Sequence, residues 1–329
     1  MTATFQRRSL AAMALAGLAA PAVLRAQGAP VWPTQPVRFV VPFAAGGPTD
    51  IPARMIAEQM SNALPQRVIV ENRTGAGVLV GTEVVAKAPK DGYTLLYSTV
   101  AHSALAALFS HLSFDPIADF TPVALVGIIP MVITVNKDFP ATTLQELVAV
   151  LRANPNRYDY ASSGNGGALH LAAELFLRTA GVQANHVPYR GSAAAMPDVM
   201  SGRVPIIIDV ATSCLPYVQR GELRALAVMD DNRLPQLPSV PTTGEGGVPG
   251  INASTWHMVF APSGTPAPVV AAINAAVNKA VALPVVQTRL TELAMLLNST
   301  STPDSATAFL ASETEKWTRI IREADIKVN

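Results

Sequence analysis

Charge is scarce in this 329-residue chain and cysteine is nearly absent: 14% of the residues are Asp, Glu, Lys or Arg, and Cys214 stands alone. One cysteine cannot form an intramolecular disulfide or build a Cys-rich zinc or iron–sulfur site. A formal charge of +1 gives no chain-wide basic field, which argues against a general nucleic-acid or anionic-membrane binder. Long apolar runs are missing too. The run Leu10–Leu24 is shorter than the roughly 20 residues a membrane helix needs, and no later segment is longer. What is abundant is apolar chain, 50% of residues, punctuated by 27 Pro and 21 Gly. That composition is opposite to the disordered signature, and the length is right for about two domains.

Arg7-Arg8, an apolar run and Ala26 read as a secretory leader over residues 1–26, cut near Ala26. The arginine pair fits twin-arginine export, but Gln6 and Leu10 fit general export equally well. Either way the protein is expected in an exported compartment. Without the three leader arginines the chain carries 21 basic and 23 acidic residues, a net charge of −2.

Short apolar runs then alternate with helical periods. Strands are expected at Val37–Val41, Arg67–Val70 and Tyr93–Tyr97, separated by helices over Ile51–Met60 and Thr82–Lys87. The pattern restarts with a strand at Val132–Val135 and a helix at Leu144–Leu151. Leu169, Ala172, Ala173 and Phe176 mark a further helical face. Strands at Val204–Ile208, Leu223–Val228 and Trp256–Phe260 and helices over 267–283 and 304–323 complete an α/β chain of two lobes.

Four segments leading into helices share one chemistry: 42–50, 74–82, 162–170 and 188–192 are rich in Gly, Ser, Thr and Asn. Glycine lets backbone amides approach a ligand, and helix N-termini leave N–H groups free, so such loops can hold a carboxylate without Lys or Arg. Any one of them alone reads as ordinary turn and capping chemistry, with Thr49 or Asp50 as a helix cap. None carries a phosphate or dinucleotide fingerprint.

The order of fragments is itself specific. Trp32-Pro33-Thr34-Gln35-Pro36, Pro42-Phe43 with Gly46-Gly47-Pro48-Thr49-Asp50, and Glu71-Asn72-Arg73 with Gly75-Ala76-Gly77 come first. Lys90-Asp91-Gly92-Tyr93, Val187-Pro188-Tyr189-Arg190-Gly191 and Pro241-Thr242 with Glu245-Gly246-Gly247 follow. Over nearly all of the chain after the leader, this set resembles the substrate-binding proteins of tripartite tricarboxylate transporters, the Bug or TctC family of periplasmic receptors. The resemblance implies a two-lobed type II periplasmic binding protein with an interlobe cleft. Lobe 1 would be 31–133 with 254–329 and lobe 2 would be 134–253, with crossings near Met131–Val135 and Thr255–Phe260. It implies a monomer without metal, cofactor or catalytic residues, which takes a small carboxylate and works with integral-membrane transporter subunits. Carried over by motif, ligand contacts would be Phe43, Gly47, Thr49 and Asp50 from the first loop, and Gly81 and Thr82 from the second. Ser162, Ser163, Asn165, Gly166 and His170 would serve from the third, Tyr189 and Gly191 from the fourth, with Asp209 as a further pocket candidate.

The chain departs from that pattern in three places: Val78 replaces a usual glycine, Gly167-Ala168-Leu169 replace Ser-Pro-Ser, and Ala44-Ala45 stand where prolines are frequent. Apolar Val78 and Leu169 argue against a highly charged, citrate-like ligand. Two other classes compete. Ser162 or Ser163 with His170 and Asp209 make a hydrolytic triad on paper, without a Gly-x-Ser-x-Gly elbow. A ligand sensor signalling to a membrane partner would use the same binding chemistry as a transport receptor.

Overall fold

The computed structural model describes residues 32–75 and 78–327. The expected leader, residues 1–26, lies outside them, as do Ala76 and Gly77 of the second loop. The chain runs β1 (Val37–Val41), α1 (Asp50–Ala63), β2 (Val68–Asn72), α2 (Leu79–Ala86), β3 (Thr94–Thr99), α3 (Ala101–Leu108) and a long β4 (Phe120–Asn136). Then come α4 (Leu144–Ala153), β5 (Asp159–Ser162), α5 (Ala168–Ala180), β6 (Asn185–Pro188), α6 (Ser192–Met200), β7 (Ile206–Val210), α7 (Ala211–Gln219) and β8 (Leu223–Val228). It closes with β9 (Ser254–Pro262), α8 (Ala267–Val281), α9 (Pro284–Glu292), β10 (Leu296–Leu297) and α10 (Pro303–Glu323). Among the described residues no single helix is long and apolar enough to cross a membrane.

β4 belongs to two sheets. Its first part, Phe120–Pro130, pairs with β9 in a sheet ordered β2-β1-β3-β9-β4-β10. From Met131 onward it pairs with β7 and β8 in a second sheet, ordered β8-β4-β7-β5-β6. The chain returns at Ala253, held by Met131 N–H to Ala253 O at 2.9 Å and Ala253 N–H to Met229 O at 3.0 Å. The expected second crossing at Thr255–Phe260 is therefore displaced: those residues lie wholly in the first sheet, on β9.

Strand direction now places the loops. β1, β2 and β3 are mutually parallel, and Thr99 at the end of β3 pairs with His257 near the start of β9. Ser254, which starts β9, pairs with Pro130, so the carboxyl ends of β1 to β3 lie where β4 leaves the first sheet. In the second sheet β5, β6 and β7 are parallel, and Val210 at the end of β7 pairs with Met131. All six carboxyl ends thus point toward the crossing, the usual place for ligands in open α/β sheets.

Apolar packing runs continuously across the crossing. Leu96, Phe260 and Trp317 share one cluster with Ile133, Leu147 and Phe176. Within it lies a buried carboxylate: Glu313 Oε2 accepts the indole N–H of Trp256 at 3.0 Å and of Trp317 at 2.9 Å, and Glu313 also pairs with Lys316. Lys316 reaches Asn252 O at 3.1 Å, so α10 is tied to the return crossing.

Two buried histidines set an acid limit. Burial pushes His102 down to about 4, against a hydrogen bond to Pro116 O, and pushes His257 down to about 3. Above the ordinary value of 6.5 their rings are neutral in the folded and the unfolded chain alike, so they make no pH-dependent contribution. As pH falls below that value the unfolded chain takes up protons first, removing roughly 1 kcal/mol of stability per pH unit for each ring until the folded values are reached. Asp209, which burial raises to about 6 from 3.8, works the other way between those values but is a single group. Urea unfolding is therefore expected at a lower midpoint at pH 5 than at pH 7.5; an equal or higher midpoint at pH 5 would contradict this.

Candidate ligand site

The first-sheet side is a braced loop. Asp50 opens α1 with its carboxylate buried, and Oδ2 accepts Gly46 N–H and Arg54 Nε–H, each at 2.8 Å. Its Oδ1 accepts Asn72 Nδ2–H at 2.8 Å, and the same amide donates to Phe43 O at 2.9 Å. Burial raises the Asp50 carboxyl, but Arg54, Gly46 and Asn72 together bring it below its ordinary value. Gly46 sits at φ +77°, a backbone that favours glycine and aims its N–H at Asp50. Among the described residues, the backbone N–H groups of Ala44, Ala45 and Thr49 have no acceptor. Where proline would remove a donor, each alanine supplies one.

Gly81 is a contact between elements. A Cβ there would lie 2.7 Å from Arg73 O and 2.9 Å from Pro42 Cβ, so α2 can approach the end of β1 only through glycine. Gly81→Ala is expected to cost about 1–3 kcal/mol by overpacking, read as a lower thermal midpoint; a wild-type midpoint would show that the loops can part without cost. Thr82 is fully buried and donates to Val78 O at 2.7 Å.

The second-sheet side gathers three loops. Tyr189 N–H donates to Ser162 O at 3.0 Å, which joins the loops after β5 and β6. Ser162 Oγ lies 2.6 Å from His186 Nε2 and takes Gly164 N–H at 3.1 Å, while Gly166 N–H donates to His170 Nδ1 at 3.0 Å. The His170 and His186 rings stack with centroids 3.8 Å apart. Asp209, fully buried at the end of β7, accepts from Ser192 at the start of α6 and from Val210 N–H at 2.7 Å. Tyr189 Oη donates to Asp198 Oδ2 at 2.5 Å. Asn165 is exposed, Ser163 and Gly191 are half-buried, and Arg190 is exposed with no ion pair or hydrogen bond among the described residues.

The expected residues therefore divide by what occupies them. Gly47, Thr49, Ser163, Asn165 and Gly191 sit on the loops that face the crossing. Phe43 is half-buried there and packs on the core. The polar groups of Asp50, Thr82, Ser162 and Asp209 are bonded within the protein, so these side chains shape the loops. Asn72, Arg54 and His186 complete the bracing and escaped sequence reasoning. Only Asn72, inside the Glu71-Asn72-Arg73 fragment, had a signal to find it by. Val78 and Leu169, expected to bias the site against charged ligands, are buried in apolar clusters, so they carry no such bias. The paper triad is not assembled either. Ser162 meets His186 instead of His170, and Asp209 is held by Ser192 and Val210 without touching a histidine.

Comparison with known proteins decides the family. The profile described as "Tripartite tricarboxylate transporter family receptor" (TctC) matches residues 52–326. The chain belongs to the TctC family. BugT of Bordetella pertussis is 35% identical over 323 residues, 96% of each chain. A protein encoded between tcbD and tcbE in Pseudomonas sp. strain P51 is 39% identical, over 98% of this chain and 96% of its own. Among solved structures, the periplasmic binding protein BugD has 34% identity and a TM-score of 0.76, over 90% of this chain and all of its own. MatC of Rhodopseudomonas palustris, with bound malate, has 34% identity and a TM-score of 0.75, covering 88% and 99%. Rpa4515 of R. palustris, with adipate, has 33% identity and a TM-score of 0.76, covering 90% and 100%. The fold is thus the α/β fold of the TctC and Bug periplasmic binding proteins, and this member of the family is a solute-binding receptor.

Proposed function

We propose that this receptor captures a small carboxylate between the two sheets and delivers it to the membrane subunits of a tripartite tricarboxylate-type transporter in the periplasm, after removal of the leader near Ala26. The lobes are 31–133 with 254–329 and 134–253, acting in a monomer. The observation that carries the reading is the convergence of the Gly-rich loops that follow β1, β2, β5 and β6, whose carboxyl ends point from both sides toward the β4 crossing. Free amides of Ala44, Ala45 and Thr49 offer the first-lobe anchor for one carboxylate, beside Gly47 and Phe43. Ser163, Asn165, His170 and Gly191 meet the ligand from the second lobe as it closes, while Gly166 and Tyr189, whose N–H and hydroxyl groups are bonded within the protein, shape that face. Asp50, Gly81, Thr82, Ser162 and Asp209 hold those loops in place. The malate bound to MatC and the adipate with Rpa4515 support a dicarboxylate among the candidates.

A thermal-shift screen of mono-, di- and tricarboxylates, aromatic acids and acidic amino acids against neutral sugars tests this. A ligand at 100 times its Kd adds about 2.7 kcal/mol of stability. At least one carboxylate is expected to raise the melting midpoint; a shift with sugars and none with carboxylates would refute the reading.

A further inference from the structure

The loop after β5 contains a histidine whose protonation is dictated by its neighbours. Gly166 N–H donates to His170 Nδ1 at 3.0 Å, and a backbone amide can only give a proton, so Nδ1 presents its lone pair. A neutral imidazole with an accepting Nδ1 carries its proton on Nε2. That N–H finds no acceptor among the described residues, although only 8% of His170 is exposed. The ring lies against His186 with 18° between planes, and Tyr160 stacks on His186 at 5.0 Å.

The surroundings do not favour an imidazolium. Burial lowers both histidines to about 4, and for His186 the neighbouring His170 adds to the effect against an opposing pull from Glu174. The other titratable groups nearby are already engaged. Glu174, one turn along α5, accepts from Tyr160 Oη at 2.8 Å and pairs with Arg178 at 3.5 Å. Asp209 on β7 is held by Ser192 and Ser213. Glu313 on α10, which packs on α5, is occupied by Lys316 and two indoles.

We propose that His170 recognises the ligand's carboxylate as a neutral hydrogen-bond donor through Nε2–H, the Gly166 amide fixing its tautomer and occupying the Nδ1 lone pair that an imidazolium would have to protonate. The proposal rests on the carboxylate-receptor reading above. It has a consequence opposite to ordinary anion binding by histidine. An imidazolium site gains affinity as pH falls through 6.5, whereas His170 adds no such gain between pH 8 and 5.5 once the ligand's own ionisation is subtracted.

Long-range 1H–15N NMR of the imidazoles in the ligand-free protein reads the tautomer directly, with His170→Asn and His186→Gln assigning the signals. The expected result is a proton on Nε2 of His170 at pH 7, unchanged at pH 5.5. A proton on Nδ1, or a doubly protonated ring above pH 5.5, overturns the proposal and leaves the receptor reading standing. Calorimetric titration with malate and adipate supplies the second arm. His170→Asn keeps an acceptor for Gly166 N–H but lacks the Nε2 donor, and is expected to lose about tenfold or more in affinity, with the Gly166 amide resonance in place. Equal affinity in the variant, or a rise in affinity on acidification that the wild type shows and His170→Asn lacks, overturns the donor role. If no carboxylate binds the wild-type protein at all, the receptor reading fails, and the donor role with it.

Discussion

A Glu313→Ala protein is expected to lose about 3–5 kcal/mol of folding stability, the largest effect of any single substitution considered. The carboxylate is nearly inaccessible and accepts from both Trp256 and Trp317 through one oxygen, while the other side of the group pairs with Lys316. Alanine strands two buried indole donors and an ammonium that is itself 20% exposed. Glu313→Gln keeps an acceptor for the indoles and is expected to recover part of the loss. Chemical unfolding measures both. A wild-type midpoint for Glu313→Ala would mean that the two indoles find other acceptors and that α10 is not clamped through this group. Because Trp256 lies on β9 two residues after the start of that strand, and Lys316 holds Asn252 O, the clamp sits beside the return crossing. Its loss is therefore expected to loosen the two sheets relative to each other as well as α10.

Asp50→Ala is expected to be the most damaging change for ligand capture. The carboxylate gathers Gly46 N–H, Arg54 and Asn72, and Asn72 in turn holds Phe43 O. Hydrogen bonds to a charged group contribute about 1.5–3 kcal/mol each when buried. Arg54 is half exposed, so solvent takes over much of its share, and a stability loss of about 2 kcal/mol is expected. The larger effect is on affinity. With the brace removed, residues 43–49 must be ordered by the ligand, and each 1.4 kcal/mol so spent is tenfold in Kd. Titration of a carboxylate that binds the wild type should show a loss of at least about tenfold. Lower stability with unchanged affinity would show that the braced conformation is not the one that binds.

Much of the architecture was legible because apolar runs and helical periods are local signals. β1, α1, α5 and α10 follow from patterns a few residues long. The long β4 was legible only over Val132–Val135. Its first-sheet half contains Pro122, Gly127 and Pro130, residues that speak against a strand. Here Pro122 and Gly127 flank register shifts, and a Cβ on Gly127 would meet Leu296 O at 2.7 Å. β5 and β6 are four residues each, too short for a period, and Pro216 inside α7 masks a helix that tertiary packing nevertheless supports. The loops of the candidate site were visible as compositions, but not the division of labour within them. Asp50 and Ser162 read as ligand groups because polar residues beside glycines look alike in sequence. What distinguishes a brace from a contact is its partner, and those partners, Asn72 and His186, lie 22 and 24 residues away. Val78 and Leu169 misled for the converse reason: their place on a loop said nothing about which way they face, and both point into the core.

The most direct test of the account is a crystal structure of the protein with a carboxylate that raises its melting midpoint. The account predicts the carboxylate at the β4 crossing, one group on the amides of Ala44, Ala45 and Thr49 and the rest of the ligand against the loops at 163–170 and 189–191. A ligand bound elsewhere, or one anchored at the crossing by a Lys or Arg side chain with those amides unused, would contradict it.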